Sequence, residues 1–316
     1  MNYAIRMGEH AQLMTKAIQH ISIIYNPDAG QPQALLKNFN RIFHKAGVRW
    51  DIHITNENGD GERLAKQAIA AGTDVVAVYG GDGTLMDVAN GMVGSSVPMA
   101  IIPGGTGNVI SVELGIPRDP AAACALIVNP QHVLRPIDVG RVENHCFLLR
   151  VGFGLEANIV QGAGREMKDR FGIFAYLMSI LAAISQPSPS HYFLNLDGME
   201  YECDGLACMV ANAASLGVSG LDLADNISID DGLLDVFIIR KIDLEELFSM
   251  AARVLGSPDT PNSLLHWQVS KLMIRSDPPQ QIEADGDLIG EAQASIEVLP
   301  LALNVIVPPG NLTLKG

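Results

Sequence analysis

The chain has 316 residues, long enough for two domains with substantial cores. It carries 35 acidic against 21 basic residues, a formal charge of -14, which disfavours nucleic acid as a partner and constitutive docking on anionic membranes. Hydrophobic residues make up 48% and mean hydropathy is +0.20, on the apolar side for a soluble protein. Cys124, Cys146, Cys203 and Cys208 form no CxxC pair and have no histidine cluster beside them, so reduced thiols in a cytoplasmic protein are expected rather than zinc. Residues Met1 to Gln19 show no apolar core of signal-peptide length and read as a lead-in with no assigned role.

Ile21 to Tyr25 predicts the first strand, followed by the turn Asn26-Pro27-Asp28-Ala29-Gly30. Leu35, Leu36, Phe39, Ile42 and Phe43 then recur at helical spacing. Trp50 to Thr55 predicts the next strand and Gly61 to Ala71 the next helix. Val75 to Tyr79 is an apolar run rich in β-branched residues, the pattern of a buried strand. Gly80-Gly81-Asp82-Gly83-Thr84 follows it, and Leu85, Val88, Ala89 and Met92 then mark a helix. The step repeats with Met99 to Ile102, the turn Pro103-Gly104-Gly105-Thr106-Gly107-Asn108, and a helical start over Val109 to Leu114. Strands alternating with helices predict a Rossmann-like, doubly wound parallel sheet.

The first glycine loop lets backbone N–H groups approach an anion closely, and the helix start behind it favours negative charge. It has no lysine, so it is not a GxxxxGK[ST] loop, and its spacing is not GxGxxG. An aspartate in its middle suggests a metal ion or a proton handled beside phosphates. The plainer alternative is a capping box of Thr84 and Asp87 over a tight turn. Two glycine loops at consecutive strand ends share one edge of a parallel sheet, which shifts the balance towards a site. Thr106 and Asn108 can add side-chain hydrogen bonds there.

Pro120 to Val128 predicts a further helix, and Val133 to Val139 leads out of the sheet. From about residue 141 to 299 the texture becomes short alternating strands: Cys146 to Val151, His191 to Leu196, Leu206 to Ala211, Leu233 to Ile239 and Trp267 to Arg275. An antiparallel β-rich domain follows from that spacing. Phe171 to Ser185 is apolar almost all round but shorter than the ~20 residues of a membrane span. It reads as a core helix or as a wall of an acyl-chain cleft. Asp230-Asp231-Gly232-Leu233 is either a tight turn or a source of oxygen ligands for a hard cation. Gln281 to Asp287 reads as a hairpin turn, or as a source of carboxylates.

The pair GGDGT over Gly80 to Thr84 and PGGTGN over Pro103 to Asn108 resembles the diacylglycerol kinase catalytic-domain family. That family includes bacterial lipid kinases and the sphingosine and ceramide kinases. GGDGT alone also resembles NAD kinases, so the pair carries the resemblance. It implies an ATP-dependent lipid kinase with a nucleotide-binding domain over 1–140, completed by a returning segment at 300–316, and a β-sandwich lipid-substrate domain over 141–299. It implies that Asn26, Pro27, Asp28, Ala29, Gly30, Thr55, Gly80, Gly81, Asp82, Gly83, Thr84, Asp87, Gly105, Thr106 and Asn108 line ATP. A structural magnesium is implied on Ser228, Asp231 and the Leu233 carbonyl. Asp285-Gly286-Asp287 matches the family's DGE motif, which faces the GGDGT loop and supplies the base. Asp82, Asp285 and Asp287 are thus the implied catalytic residues, with Asp287 standing where glutamate is usual and Met86-Asp87 where Asn-Glu is frequent. Gly152 to Ala157 resembles the family's entry into the second domain. The implied partners are ATP with Mg2+, a lipid bearing a free hydroxyl, and transient contact with a membrane surface; a homodimer stays open. An NAD kinase-like enzyme and a non-catalytic lipid-binding protein of this fold are the alternatives.

Overall fold

The computed structural model describes residues 12–13, 17–30, 35–105, 107–154, 189–215, 227–240 and 264–309. They gather into two compact units. The first takes the described residues of 1–139, 212–232 and 299–316, and the second those of 140–211 and 233–298. The apolar run Phe171 to Ser185, residues 155–157 and Thr106 lie outside the described residues.

The first unit opens with a two-residue strand, β1 (Gln12–Leu13). Its body runs β2 (His20–Tyr25), α1 (Leu35–Lys45), β3 (Arg49–Ile54), α2 (Asp60–Ala70), β4 (Val75–Gly80), α3 (Asp82–Met92), β5 (Met99–Pro103), α4 (Val109–Glu113) and α5 (Pro120–Ile127). The strand order is β3-β2-β4-β5, all parallel. β4 and β5 are buried at every position, which is why their sequences are apolar throughout rather than alternating. β3 is the edge strand and is only half-buried, matching its polar Arg49-Trp50-Asp51-Ile52-His53-Ile54. α2 packs on α3 and α1 on α5. The chain steps from β2 out to β3 and then back past β2 to β4, so the winding reverses between β2 and β4. In open α/β sheets the ligand crevice lies at that reversal, outside the carboxyl ends of the strands.

β6 (Val133–Val142) leads from the first unit into the second, where it pairs with β7 (His145–Phe147). The rest of the second unit is β8 (Arg150–Phe153), β9 (Ser190–Leu196), β10 (Met199–Gly205), β11 (Ala207–Ala211), β12 (Leu234–Ile239), β13 (Leu264–Val269), β14 (Lys271–Asp277), β15 (Gln281–Ala284), β16 (Asp287–Glu291) and the first part of β17 (Gln293–Val307). One sheet runs β10-β9-β14-β17 and the other β13-β12-β11-β8-β15-β16, antiparallel throughout these pairs. β9 and β14 alternate strictly between buried and open positions. Their inward residues Tyr192, Leu194, Leu272 and Ile274 meet Phe153, Val210, Val236 and Ile238 in one core, as in a sandwich of two sheets. The fold class is therefore the expected one, a doubly wound α/β unit with an antiparallel β unit. Among the described residues no helix is long and apolar enough to cross a membrane.

Two expected strands are each divided. Trp267 to Arg275 falls into β13 and β14, which belong to different sheets. The buried positions Val269 and Leu272 are three apart, so the alternation slips phase at Ser270. Asp197 holds that corner, accepting from the Ser270 N–H at 3.0 Å and the Lys271 N–H at 2.8 Å. Cys146 to Val151 is split at Leu148 and Leu149, whose N–H groups turn to the Asp285 carboxylate instead of a strand partner. β17 ends in the first unit, where Val305 lies beside Met99 in parallel register.

Candidate active site

Three turns meet at the carboxyl ends of β2, β4 and β5. The Asn26 N–H donates to the Tyr79 carbonyl at 3.0 Å, and the Gly104 N–H donates to the Gly80 carbonyl at 2.9 Å. Asn26 also donates its side-chain amide to Thr84 Oγ1 at 2.7 Å, while its Oδ1 accepts the Asp28 N–H at 2.9 Å. Asn-Pro is thus more than a generic turn here, because it ties the first turn to the first helical turn of α3. Thr55 closes the far side of β2, its N–H donating to the Tyr25 carbonyl at 3.0 Å.

The glycines of these turns are dictated by closeness. A Cβ on Gly105 would stand 2.7 Å from Gly81 Cα, and one on Gly107 would stand 2.9 Å from Asp82 Oδ2. Against backbone, such closeness leaves room only for glycine at 105, and at Gly107 it is the end of the Asp82 side chain that lies against the third turn. Asn108 takes a left-handed φ of 50° and accepts the Gly105 N–H on Oδ1 at 3.1 Å. Asn visits that region because its short amide can bond locally.

α3 begins at Asp82 with Gly81 as its N-cap, and no side chain caps it. Thr84 and Asp87 are therefore not a capping box. Thr84 accepts from Asn26, and Asp87 Oδ2 accepts the Gly59 N–H at 2.9 Å, joining α3 to the start of α2. The N-cap Gly81 has no side chain to cap this helix start, and the helix dipole favours an anion there. The geometry thus groups Asn26, Pro27, Asp28, Ala29, Gly30, Gly80, Gly81, Asp82, Gly83, Thr84, Gly105 and Asn108, with Thr55 at the neighbouring strand end. Asp87 is committed to Gly59.

The second unit holds Asp285 and Asp287. β15 and β16 are joined by the two-residue turn Asp285-Gly286, with φ of 47° and 102°. Positive φ at both positions is the type I′ hairpin signature of Asp-Gly. The Asp285 carboxylate accepts the N–H of Leu148 at 2.7 Å, of Arg150 at 2.8 Å and of Leu149 at 3.1 Å. Burial pushes its carboxyl up to about 6, against the pull of those N–H groups. Asp287 is exposed at the base of the same turn. Glu283, on the strand beside it, is raised first by burial and then by the Asp287 charge, with Arg150 pulling it down.

Ser228 and Asp231 belong to the first unit, and Leu233 opens the second. Ser228 donates its hydroxyl to Asp230 Oδ1 at 2.7 Å, and Arg135 Nε donates to Asp230 Oδ2 at 2.8 Å. The neighbouring Gly232 N–H donates to Asp138 at 2.6 Å. Among the described residues no three His, Cys, Asp or Glu side chains gather as a metal site. The Asp138 carboxylate lies beside this segment, which it shares with the Arg135 guanidinium on Asp230.

Asp138 and Tyr79 carry structural weight that the sequence reading passed over. Asp138 lies in the stretch Val133 to Val139, which also holds Arg135, and it is fully buried. An aspartate set between Ile137 and Val139 in a strand was the available signal. Tyr79 is the polar-tipped aromatic at the end of β4, directly before the glycines.

Residues 20–142 match the diacylglycerol kinase catalytic domain, and residues 150–307 match the YegS C-terminal NAD kinase beta sandwich-like domain. The chain is 31% identical over 265 residues to a probable lipid kinase YegS-like of Pseudomonas putida, covering 83% of this chain and 86% of that protein. It is 27% identical to a diacylglycerol kinase of Bacillus subtilis, covering 90% and 95%. A crystal structure of a diacylglycerol kinase from Bacillus anthracis superposes with a TM-score of 0.71 at 25% identity, covering 93% and 98%.

Proposed function

Because the chain belongs to the diacylglycerol kinase catalytic-domain family, we propose that it is an ATP-dependent lipid kinase, moving the γ-phosphate of ATP onto a hydroxyl of a lipid such as diacylglycerol or a sphingoid base. The observation that carries this reading is the glycine cradle formed by the turns after β2, β4 and β5, in which any Cβ at Gly105 would collide with Gly81. Backbone N–H groups at the start of α3 receive the phosphates. Asn26, Thr84 and Asn108 hold the loops in register, and Thr106 precedes Asn108 by two residues in the sequence. Asp82 would hold the magnesium that accompanies ATP, an ion that would supply neutralisation of the phosphoryl charge. Asp287 accepts the proton of the lipid hydroxyl. Asp285, saturated by main-chain N–H groups, keeps the hairpin that carries Asp287 in place. The stretch Phe171 to Ser185 supplies apolar surface for acyl chains, and contact with the membrane surface is transient.

The test is transfer of label from γ-labelled ATP to a panel of diacylglycerol, sphingoid base, monoacylglycerol and phosphatidylglycerol. Label is expected in at least one lipid, and Asp82→Asn is expected to lose most of that transfer with an unchanged thermal melt. Phosphorylation of a soluble dinucleotide with none of the lipids labelled would overturn the reading. So would lipid binding without transfer at saturating Mg-ATP.

A further inference from the structure

Tyr79 sits beneath the three turns and is 1% exposed. It grips the Asn26 to Gly30 turn at both ends. Its carbonyl accepts the Asn26 N–H at 3.0 Å, and its hydroxyl donates to the Ala29 carbonyl at 3.0 Å. The ring is fixed from below by Tyr25, stacked at 5.0 Å with 16° between planes. From above, two glycines are shaped to it. A Cβ on Gly30 would stand 2.3 Å from the Tyr79 hydroxyl oxygen, and one on Gly104 would stand 2.9 Å from the ring. Gly30 has φ +62°, so the turn ends in a conformation that the tether must help maintain.

We propose that Tyr79 is a positioning residue for nucleotide binding: its ring is the wedge on which the first and third turns rest, and its hydroxyl sets the place of Ala29 and Gly30. The inference rests on the nucleotide reading above but adds a residue that touches neither phosphate nor acceptor. Phenylalanine would keep the wedge and lose the tether. Ala29 is nearly buried, so its carbonyl would then lack its donor, a state that buried polar groups avoid. The turn would shift to find another donor. Burial raises the Tyr79 phenol, consistent with a group that stays protonated and donates.

The experiment uses the full chain, with Mg-ATP as the probe. Tyr79→Phe is expected to weaken ATP binding about fivefold or more in Kd and in KM, with kcat within about twofold and the thermal midpoint nearly unchanged. A residue acting on stability alone would lower the midpoint and leave KM in place. Gly30→Ala, which drives a methyl into the same hydroxyl from the loop side, is expected to give the same KM signature. Hydrogen exchange at Asp28 to Gly30 is expected to speed up in Tyr79→Phe with or without ATP. Unchanged Kd and unchanged exchange in Tyr79→Phe overturn the proposal. If the wild-type chain itself fails to bind ATP, the nucleotide reading falls. Exchange then decides whether Tyr79 tethers the turn: faster exchange supports the tether, and unchanged exchange overturns it.

Discussion

Asp285 and Asp287 stand two residues apart on one hairpin, yet their surroundings assign them different work. Three main-chain N–H groups converge on the Asp285 carboxylate, so its removal strands donors that were paired. Asp285→Ala is expected to cost at least the ~1–3 kcal/mol of an unsatisfied buried donor, seen as a melt lowered by several degrees. Asp287→Asn is expected to leave the melt in place and reduce lipid phosphorylation by ~10²–10⁴-fold, the range of a lost general base. Single-turnover rates together with melts separate the two. Full turnover in Asp287→Asn would remove the base assignment. The sequence showed that this turn holds carboxylates. It did not show which one is engaged, because the partners of Asp285 lie some 135 residues earlier in the chain.

At the scale of elements, the β-α alternation of the first unit was legible because β4 and β5 are apolar at every position and the helices repeat at helical spacing. The close approach of Gly81 and Gly105 was not, since distance between two loops has no local signature. It has a sharp consequence. Gly105→Ala would place a methyl 2.7 Å from Gly81 Cα, against backbone that cannot rotate away. The loops must separate, and KM for ATP is expected to rise about tenfold or more, equivalent to ~1.4 kcal/mol, with lipid KM little changed. Steady-state kinetics with ATP and lipid varied in turn check this. In the second unit the divided strands mark where local reading fell short. The phase slip at Ser270 was visible in the spacing of Val269 and Leu272. The break at Leu148 was not, because its cause is the distant Asp285.

For the molecule as a whole, the first unit is assembled from stretches far apart in the chain, and Asp138 joins them. Its N–H donates to the Ile229 carbonyl at 2.7 Å, and its carboxylate accepts from Gly232 at 2.6 Å and Leu301 at 2.7 Å. Burial pushes this carboxyl up to about 6, opposed by the Leu301 and Gly232 N–H groups and helped by the Asp230 charge. Its folded value lies above the ordinary 3.8, so between about pH 4 and 6 the folded state keeps a proton that the unfolded chain has released. The stability it contributes is fully present below that window and declines as pH rises through it. The wild-type advantage over Asp138→Asn in urea midpoint is therefore expected to shrink from pH 4 to pH 7. Asp285, present in both proteins, cancels from that difference. β17 adds a consequence for the order in which the chain becomes structured. The strand that lies beside Met99 comes from Leu299 to Val307, so the unit that leaves the ribosome first lacks its last strand until the second has been made. At ~5–20 residues per second, the nascent β5 edge waits roughly 10–40 s for its partner, and a fragment ending near residue 140 would keep that edge open permanently, as a template for aggregation.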